Sequence, residues 1–407
     1  MYDGRRKTAC ALALSEPDIF RKTNHLLLKK LETPAALTDQ PQMVRNIERM
    51  QQHLTRLGVT FRPHVKTSKC VQVWKAQADA GASGITVSTL QEAEQFFAAG
   101  ERDILYAVAI VPSKLERALA LHRKGCDLKL IVDNIEAAKA VAAFGHVHGE
   151  TFEVWIEIDT DGHRSGIKPE DSLLLGVGRA LHENGIRLGG VMTHAGSSYE
   201  LNTPEAMAAM AEQERAGCVR AAQRLRDAGL PCETVSVGST PTALAAQQLD
   251  GVTEVRAGVY VFFDLVMHNV GVCKIDDIAL SVLTTVIGHQ IDKGWVIVDA
   301  GWMAMSRDRG TSKQSRDYGY GQVCALDGTV MAGYQMIGAN QEHGIVALAE
   351  DGRADAAGQC DIAERFPIGT KLRILPNHAC ATGAQYPVYQ ALNADGETTG
   401  WPRSYGW

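Results

Sequence analysis

Eight short β-rich runs punctuate residues 60–260, and alanine-rich stretches of helical pattern separate them. The runs are TFRPHVK (60–66), GITVST (84–89), ILYAV (104–108), LKLIVD (128–133), FEVWIEID (152–159), LGGVMTH (188–194), TVSVGS (234–239) and EVRAGVY (254–260). Strands separated by helices run parallel, because the helical crossover returns the chain to the same end of the sheet. Eight such units within about 200 residues predict a (β/α)8 TIM-type barrel. An open doubly wound sheet is the alternative, disfavoured because no GxGxxG turn follows the first run. Thr203 ahead of Pro204 predicts a helix start, and Gly229 predicts its end.

Beyond residue 270 the pattern changes. Runs such as IALSVLTTVIGHQ, GWVIVDAG and KLRILPNHACATGAQYPVYQAL are β-rich, broken by turns and almost free of helical spacing. They predict a separate, mainly antiparallel β domain, and a chain of 407 residues is long for a single core. The expected divisions are an N-terminal extension at 1–29, a leading strand and helix at 30–59, the barrel at 60–265 and the β domain at 266–407. The strand-like ETPAALTD (32–39) is expected to pair with the β domain.

Charge narrows the function. A net charge of −6 with no polybasic stripe argues against nucleic acid and anionic membranes, leaving a small molecule as the expected partner. Nine scattered cysteines, odd in number and without a CxxC pair, fit a reducing cytoplasm better than a disulfide framework. The apolar run ACALAL near the start is too short for a signal-peptide core, and no stretch reaches membrane-spanning length.

In such barrels the chemistry sits at the C-terminal strand ends. The first run ends in RPHVKTSK (62–69), which places Lys66 there. A lysine is most often a solvated surface charge, but one desolvated at a barrel mouth has a lowered pKa and a free amine for Schiff-base chemistry. The turns after the seventh and eighth runs, around Gly238-Ser239-Thr240 and Gly258, are rich in glycine and hydroxyl groups. Such turns cradle phosphate with main-chain N–H groups. Lysine and phosphate cup together suggest pyridoxal phosphate (PLP).

In PNHAC, His378 and Cys380 are two apart, which on a strand puts both on one face. Imidazole with thiolate suits zinc, and two protein ligands leave positions open for water or substrate. Alone the pair is a weak signal, since cysteine is so often a small core residue. Glu342 and His343 in NQEHG either orient the metal ligands or close a turn.

RPHVKTSK, DTDGHRSG, THAGSSY, VGSTPT, RAGVYVFFD and PNHAC, in that order, resemble the fold-type III, PLP-dependent family of D-serine dehydratases and D-threonine aldolases. The resemblance spans roughly residues 30–407 and implies an alanine racemase-like barrel followed by a β domain. It implies that Lys66 is the Schiff-base lysine, with Arg164 near the phenolic oxygen of the cofactor, His194 against its ring and Tyr199 near its pyridine nitrogen. Gly238, Ser239 and Thr240 with Gly258 and Tyr260 would hold the phosphate. His378 and Cys380 would bind a catalytic divalent metal (zinc, or manganese, magnesium or cobalt). A homodimer is implied as well, since in this fold the β domain faces the partner's barrel mouth.

The expected activity is a dehydratase reaction, elimination of the β-hydroxyl of D-3-hydroxy amino acids, with D-threo-3-hydroxyaspartate first and D-serine second. Retro-aldol cleavage of the D-threonine aldolase type is the nearer alternative; aldolases of the family carry histidine where this chain has Ser68. A PLP-binding barrel without catalysis is the more distant one.

Overall fold

The computed structural model describes residues 28–349 and 362–407. Most of the expected N-terminal extension thus lies outside the described residues; Leu28 packs against Leu37 and Leu283. Strand β1 (Ala35–Asp39) leads into a helix at Gln40–Arg56. Asp39 starts that helix by accepting the Gln42 N–H at 2.9 Å, and Pro41 fits the first turn, where no N–H is required. Met43, Ile47, Met50 and Leu54 recur at helical spacing and are buried.

The eight barrel strands are β2 (Thr60–Pro63), β3 (Ile85–Val87), β4 (Asp103–Tyr106), β5 (Asp127–Val132), β6 (Glu153–Ile158), β7 (Arg187–Thr193), β8 (Thr234–Val237) and β9 (Glu254–Ala257). They pair in parallel in the order β2-β9-β8-β7-β6-β5-β4-β3. The seam between β2 and β3 is joined by the bridge of His64 to Thr86 and by Val65 N–H donating to Thr86 O at 3.0 Å. Regular strand therefore stops at Pro63, and Lys66 lies in the turn beyond it rather than on the strand itself. That turn is closed by Lys69 N–H donating to Val65 O at 2.7 Å, with Lys69 at φ 47°. The helix at Pro204–Asp227 begins where Thr203 Oγ1 accepts the Ala206 N–H, and its chain turns away at Gly229, φ 75°.

The barrel interior is not a purely apolar plug. Leu105, Ile131, Trp155 and Met192 make only a small apolar cluster. At the N-terminal strand ends, Arg62 pairs with Glu254 at 2.9 Å and Asp103 at 2.8 Å, and Lys129 pairs with Asp103 at 2.5 Å. Charges persist inside a protein when paired in this way. The network climbs further: Ser236 Oγ donates to Glu254 at 2.7 Å, and Arg256 Nε donates to Ser236 Oγ at 2.8 Å.

The second domain comprises β10 (Leu280–Gln290), β11 (Trp295–Val298), β12 (Gln322–Cys324), β13 (Val330–Ala339), β14 (Gly344–Leu348), β15 (Lys371–Leu375), β16 (Val388–Leu392) and β17 (Thr398–Pro402). Together with β1 they form a sheet in the order β11-β14-β13-β12-β15-β10-β1-β16-β17. A further β10–β11 pairing curls it toward a barrel, and among the described residues of this sheet the β1–β16 pairing alone is parallel. The leading strand β1 thus belongs to this sheet, between β10 and β16. The end of β15 is docked on the barrel: Leu265 N–H donates to Pro376 O at 3.1 Å and Val266 N–H to Asn377 O at 3.2 Å. These bonds fix the residues after β15 over the barrel mouth.

Candidate active site

A cavity of about 1050 Å³ opens at the C-terminal ends of the barrel strands, beneath the β domain. Lys66, Arg164, His194 and Tyr199 line it from the barrel, together with the 238–240 turn and Gly258. His378 and Cys380 line it from the β domain. Residues more than 300 positions apart in sequence are brought together, as the 3.3 Å contact of Thr67 Oγ1 with Cys380 Sγ records.

Burial lowers the Lys66 amine below the ordinary lysine range, with the Arg164 and Arg256 cations adding to it and Cys380 opposing. Burial, with Lys66 nearby, also pushes the His194 imidazole down to about 3, so the ring is neutral. His194 Nδ1–H donates to Gly238 O at 3.1 Å, since a carbonyl can only accept. Tyr199 lies beside it, ring centroids 6.2 Å apart, and burial raises its phenol so that the proton stays on.

Gly238 is sterically required, and Gly258 is closely packed. Gly238 has φ 132°, and a Cβ there would lie 2.2 Å from Arg256 O. A Cβ on Gly258 would meet Thr67 Oγ1 at 3.0 Å. Ser239 Oγ is already engaged by Ser198 Oγ at 2.9 Å and by the Thr242 N–H at 3.2 Å. Arg164 is largely exposed and makes a long 3.5 Å contact with Glu157.

The Tyr260 side chain does not reach the cavity. Its ring packs edge-on against Phe61, and its hydroxyl accepts from Gln77 Nε2 at 2.7 Å, outside the cavity lining. An apolar ring with one polar tip is satisfied there in full. Its main chain alone reaches the turn, the Tyr260 N–H donating to Thr240 Oγ1 at 3.2 Å.

His378 and Cys380 are not on a strand. His378 is the extended residue before a short helix at Ala379–Gly383, and Cys380 is in its first turn. Asp264, fully buried, fixes this entry by accepting the Ala379 N–H at 2.9 Å. His378 Nδ1 meets Asp308 Oδ2 at 2.6 Å. Burial works against the His378 charge, but the Cys380 sulfur and the Asp308 carboxylate raise its imidazole to about 11. Burial alone would raise the Cys380 thiol; the His378 charge outweighs it and lowers it. Among the described residues no group of three or more His, Cys, Asp or Glu is placed to hold a metal ion. Glu342 and His343 are exposed in the β13–β14 loop, closed by Asn340 N–H donating to His343 O at 2.8 Å, and neither lines the cavity. They close a turn.

Arg256, Asp308 and Thr67 are cavity residues the sequence reading left unassigned. Arg256 had a signal, for EVRAG alternates charged residues on one face of a strand whose end carries Gly258. Asp308 had none: it is 70 positions from His378 in a charged loop.

The alanine racemase N-terminal domain model matches residues 38–266, and the putative serine dehydratase domain model matches residues 279–392. The sequence is 70% identical over 381 residues to a D-threo-3-hydroxyaspartate dehydratase of Delftia sp. (strain HT23), covering 93% of this chain and 99% of that one. It is 30% identical over 389 residues to a D-serine dehydratase of Dictyostelium discoideum, covering 91% and 95%. Two solved structures of D-threo-3-hydroxyaspartate dehydratase superpose with TM-scores of 0.91 and 0.92, at 68% and 67% identity, covering 94% and 97% of this chain and all of theirs. The first is described as a cysteine-to-alanine mutant in the metal-free form, the second as a histidine-to-alanine mutant. By fold, domain order and sequence, the chain belongs to the fold-type III, PLP-dependent family of D-serine dehydratases and D-threonine aldolases.

Proposed function

We propose that the chain is a PLP- and divalent-metal-dependent dehydratase of D-3-hydroxy amino acids. It converts D-threo-3-hydroxyaspartate to oxaloacetate and ammonia, and D-serine to pyruvate as a second activity. The observation that carries this reading is one cavity holding both a lysine amine of lowered pKa and a histidine–cysteine pair. The 70% identity to the Delftia dehydratase supports it. So does the spacing of the histidine and cysteine altered in its solved structures, two residues apart like His378 and Cys380.

The residues fit the cofactor. Lys66 is the desolvated amine, and Gly238 and Gly258 leave room for close approach of an anion to the main chain. With the Ser239 hydroxyl already engaged, main-chain N–H groups of the turns would hold the phosphate. When bound, PLP stabilises the electron pair left at the substrate α-carbon. Lys66 Nζ takes the α-proton, an assignment resting on its lowered pKa and its place in the cavity. The neutral His194 ring and the protonated Tyr199 wall the cavity without adding charge.

His378 and Cys380 fit a borderline-soft divalent ion such as zinc or cobalt better than oxygen-preferring manganese or magnesium. When bound, the ion supplies Lewis acidity to the departing β-oxygen. Lys313 lines the cavity as a further cation, and with Arg164 it suits a substrate with a second carboxylate over D-serine. The protein is proposed to be a homodimer in the cytoplasm. Exposed Ile287, Ile337 and Leu348 on the β domain and the free cysteines at all seven described positions support this. Among the described residues no helix is long and apolar enough to cross a membrane.

Product identity tests the reading. The protein loaded with PLP and zinc should convert D-threo-3-hydroxyaspartate to oxaloacetate and ammonia in equal amounts. Glycine and glyoxylate as the products would replace the dehydratase with an aldolase.

A further inference from the structure

The turn that carries Lys66 makes a second polar contact with the site. Thr67 is fully buried, and its Oγ1 lies 3.3 Å from Cys380 Sγ, across the boundary between barrel and β domain. The Cys380 thiol donates to Thr67 Oγ1 in this contact. We propose that Thr67 is a positioning residue for the metal pair: once the sulfur is a thiolate the bond reverses, the hydroxyl donates to it, and the direction in which the sulfur offers its remaining lone pairs is fixed. This rests on the metal reading of His378 and Cys380 given above.

Three features make the contact a built one. The turn is rigid: Val65 N–H donates to Thr86 O at 3.0 Å, Lys69 N–H to Val65 O at 2.7 Å, and Ser404 N–H to Lys69 O at 2.7 Å. An ion pair of Lys69 with buried Glu92 at 2.9 Å braces it from the side. The hydroxyl is confined: it sits so close to Gly258 that a Cβ there would stand 3.0 Å from Oγ1. And the two ligands receive complementary support. His378 is held by an acceptor, Asp308, suited to a ring N–H, while Cys380 is held by a hydroxyl, suited to a sulfur anion. A thiolate with one lone pair committed to a fixed donor has fewer orientations to lose when it ligates an ion. Because Thr67 follows Lys66 directly, one rigid turn positions both the cofactor lysine and the metal sulfur.

The test is zinc affinity of the PLP-loaded enzyme, measured by competition with a chromophoric chelator, for wild type and for Thr67→Val, Thr67→Ala, Thr67→Ser and Cys380→Ala. Loss of the hydroxyl in Thr67→Val and Thr67→Ala should weaken zinc binding by about 10- to 100-fold. Cofactor absorbance per chain should not change. Thr67→Ser should restore wild-type affinity, which a role in packing alone would not predict. Unchanged affinity in Thr67→Val and Thr67→Ala, or a Thr67→Ser variant as weak as they are, would overturn the proposal. If Cys380→Ala binds zinc as tightly as wild type, the metal reading itself is wrong, and the assignment of Thr67 falls with it.

Discussion

His378 Nδ1 and Asp308 Oδ2 are 2.6 Å apart, and the carboxylate thereby fixes the ring of a residue that lines the cavity beside Cys380. With Nδ1 committed to Asp308, Nε2 is the nitrogen that remains to bind an ion. Asp308→Asn should therefore weaken metal binding by about 10- to 100-fold while leaving PLP in place. Calorimetric titration of the apo-metal protein checks this, and an unaltered affinity would remove Asp308 from the site.

Lys66→Ala should abolish turnover and the covalent link to PLP. Borohydride reduction followed by peptide mapping reads the link directly. A reduced pyridoxyl group found on another lysine in the mutant would show that the amine had been assigned to the wrong turn.

Lys313 tests the preference for a dicarboxylate. Lys313→Met should raise KM for D-threo-3-hydroxyaspartate by about 5- to 30-fold, the effect of losing an ion-pair partner worth about 1–2 kcal/mol, with kcat little changed. KM for D-serine should not move. An equal rise for both substrates would place Lys313 at the carboxylate they share.

The barrel was legible because its signal is periodic and local: each of the eight β-rich runs overlaps one observed strand. The cavity lining was legible in part because the C-terminal strand ends of such a barrel converge on one mouth, and Lys66, Gly238 and Gly258 stand at or just beyond those ends. The direction of the Tyr260 side chain was not legible, because Gly258 ends the regular alternation, so the face of a residue two places on does not follow from strand parity. The His378 and Cys380 pair was placed on a strand because the turn after β15 depends on main-chain bonds to residues 265 and 266, which no local pattern reveals. For the same reason Asp308 and Thr67 were missed: what they do is set by partners 70 and 313 positions away. The charged network inside the barrel was also missed, since alternating charges on a strand normally mark a solvated face.

That network makes a prediction about acid stability. Burial alone would raise the Asp103 carboxyl, but hydrogen bonds and charge from Arg62 and Lys129 outweigh it and hold the group below the usual carboxylate range. A group with a depressed folded-state pKa contributes stability above its unfolded value, and that stability is lost as pH falls through the folded value. The contribution should therefore begin to fall away as pH drops below about 4 and be gone once pH is below the folded value. Asp103→Asn should lower the melting temperature at pH 7 and flatten its decline on acidification, as followed by circular dichroism. Parallel pH profiles for mutant and wild type would show that the pair contributes nothing to folding.

The division of labour between Lys66 and the His378–Cys380 pair is open to one direct measurement. The PLP-loaded enzyme, stripped of metal by chelation, is mixed with D-threo-3-hydroxyaspartate in deuterium oxide, and both α-proton exchange and oxaloacetate formation are followed by NMR. Lys66 needs no metal to move the α-proton, so exchange should persist and the cofactor should stay bound. Oxaloacetate formation should fall by about 10³-fold or more, since Lewis-acid assistance is worth several kcal/mol and each ~1.4 kcal/mol is tenfold in rate. Full-rate oxaloacetate formation without metal, or loss of PLP on chelation, would contradict the account.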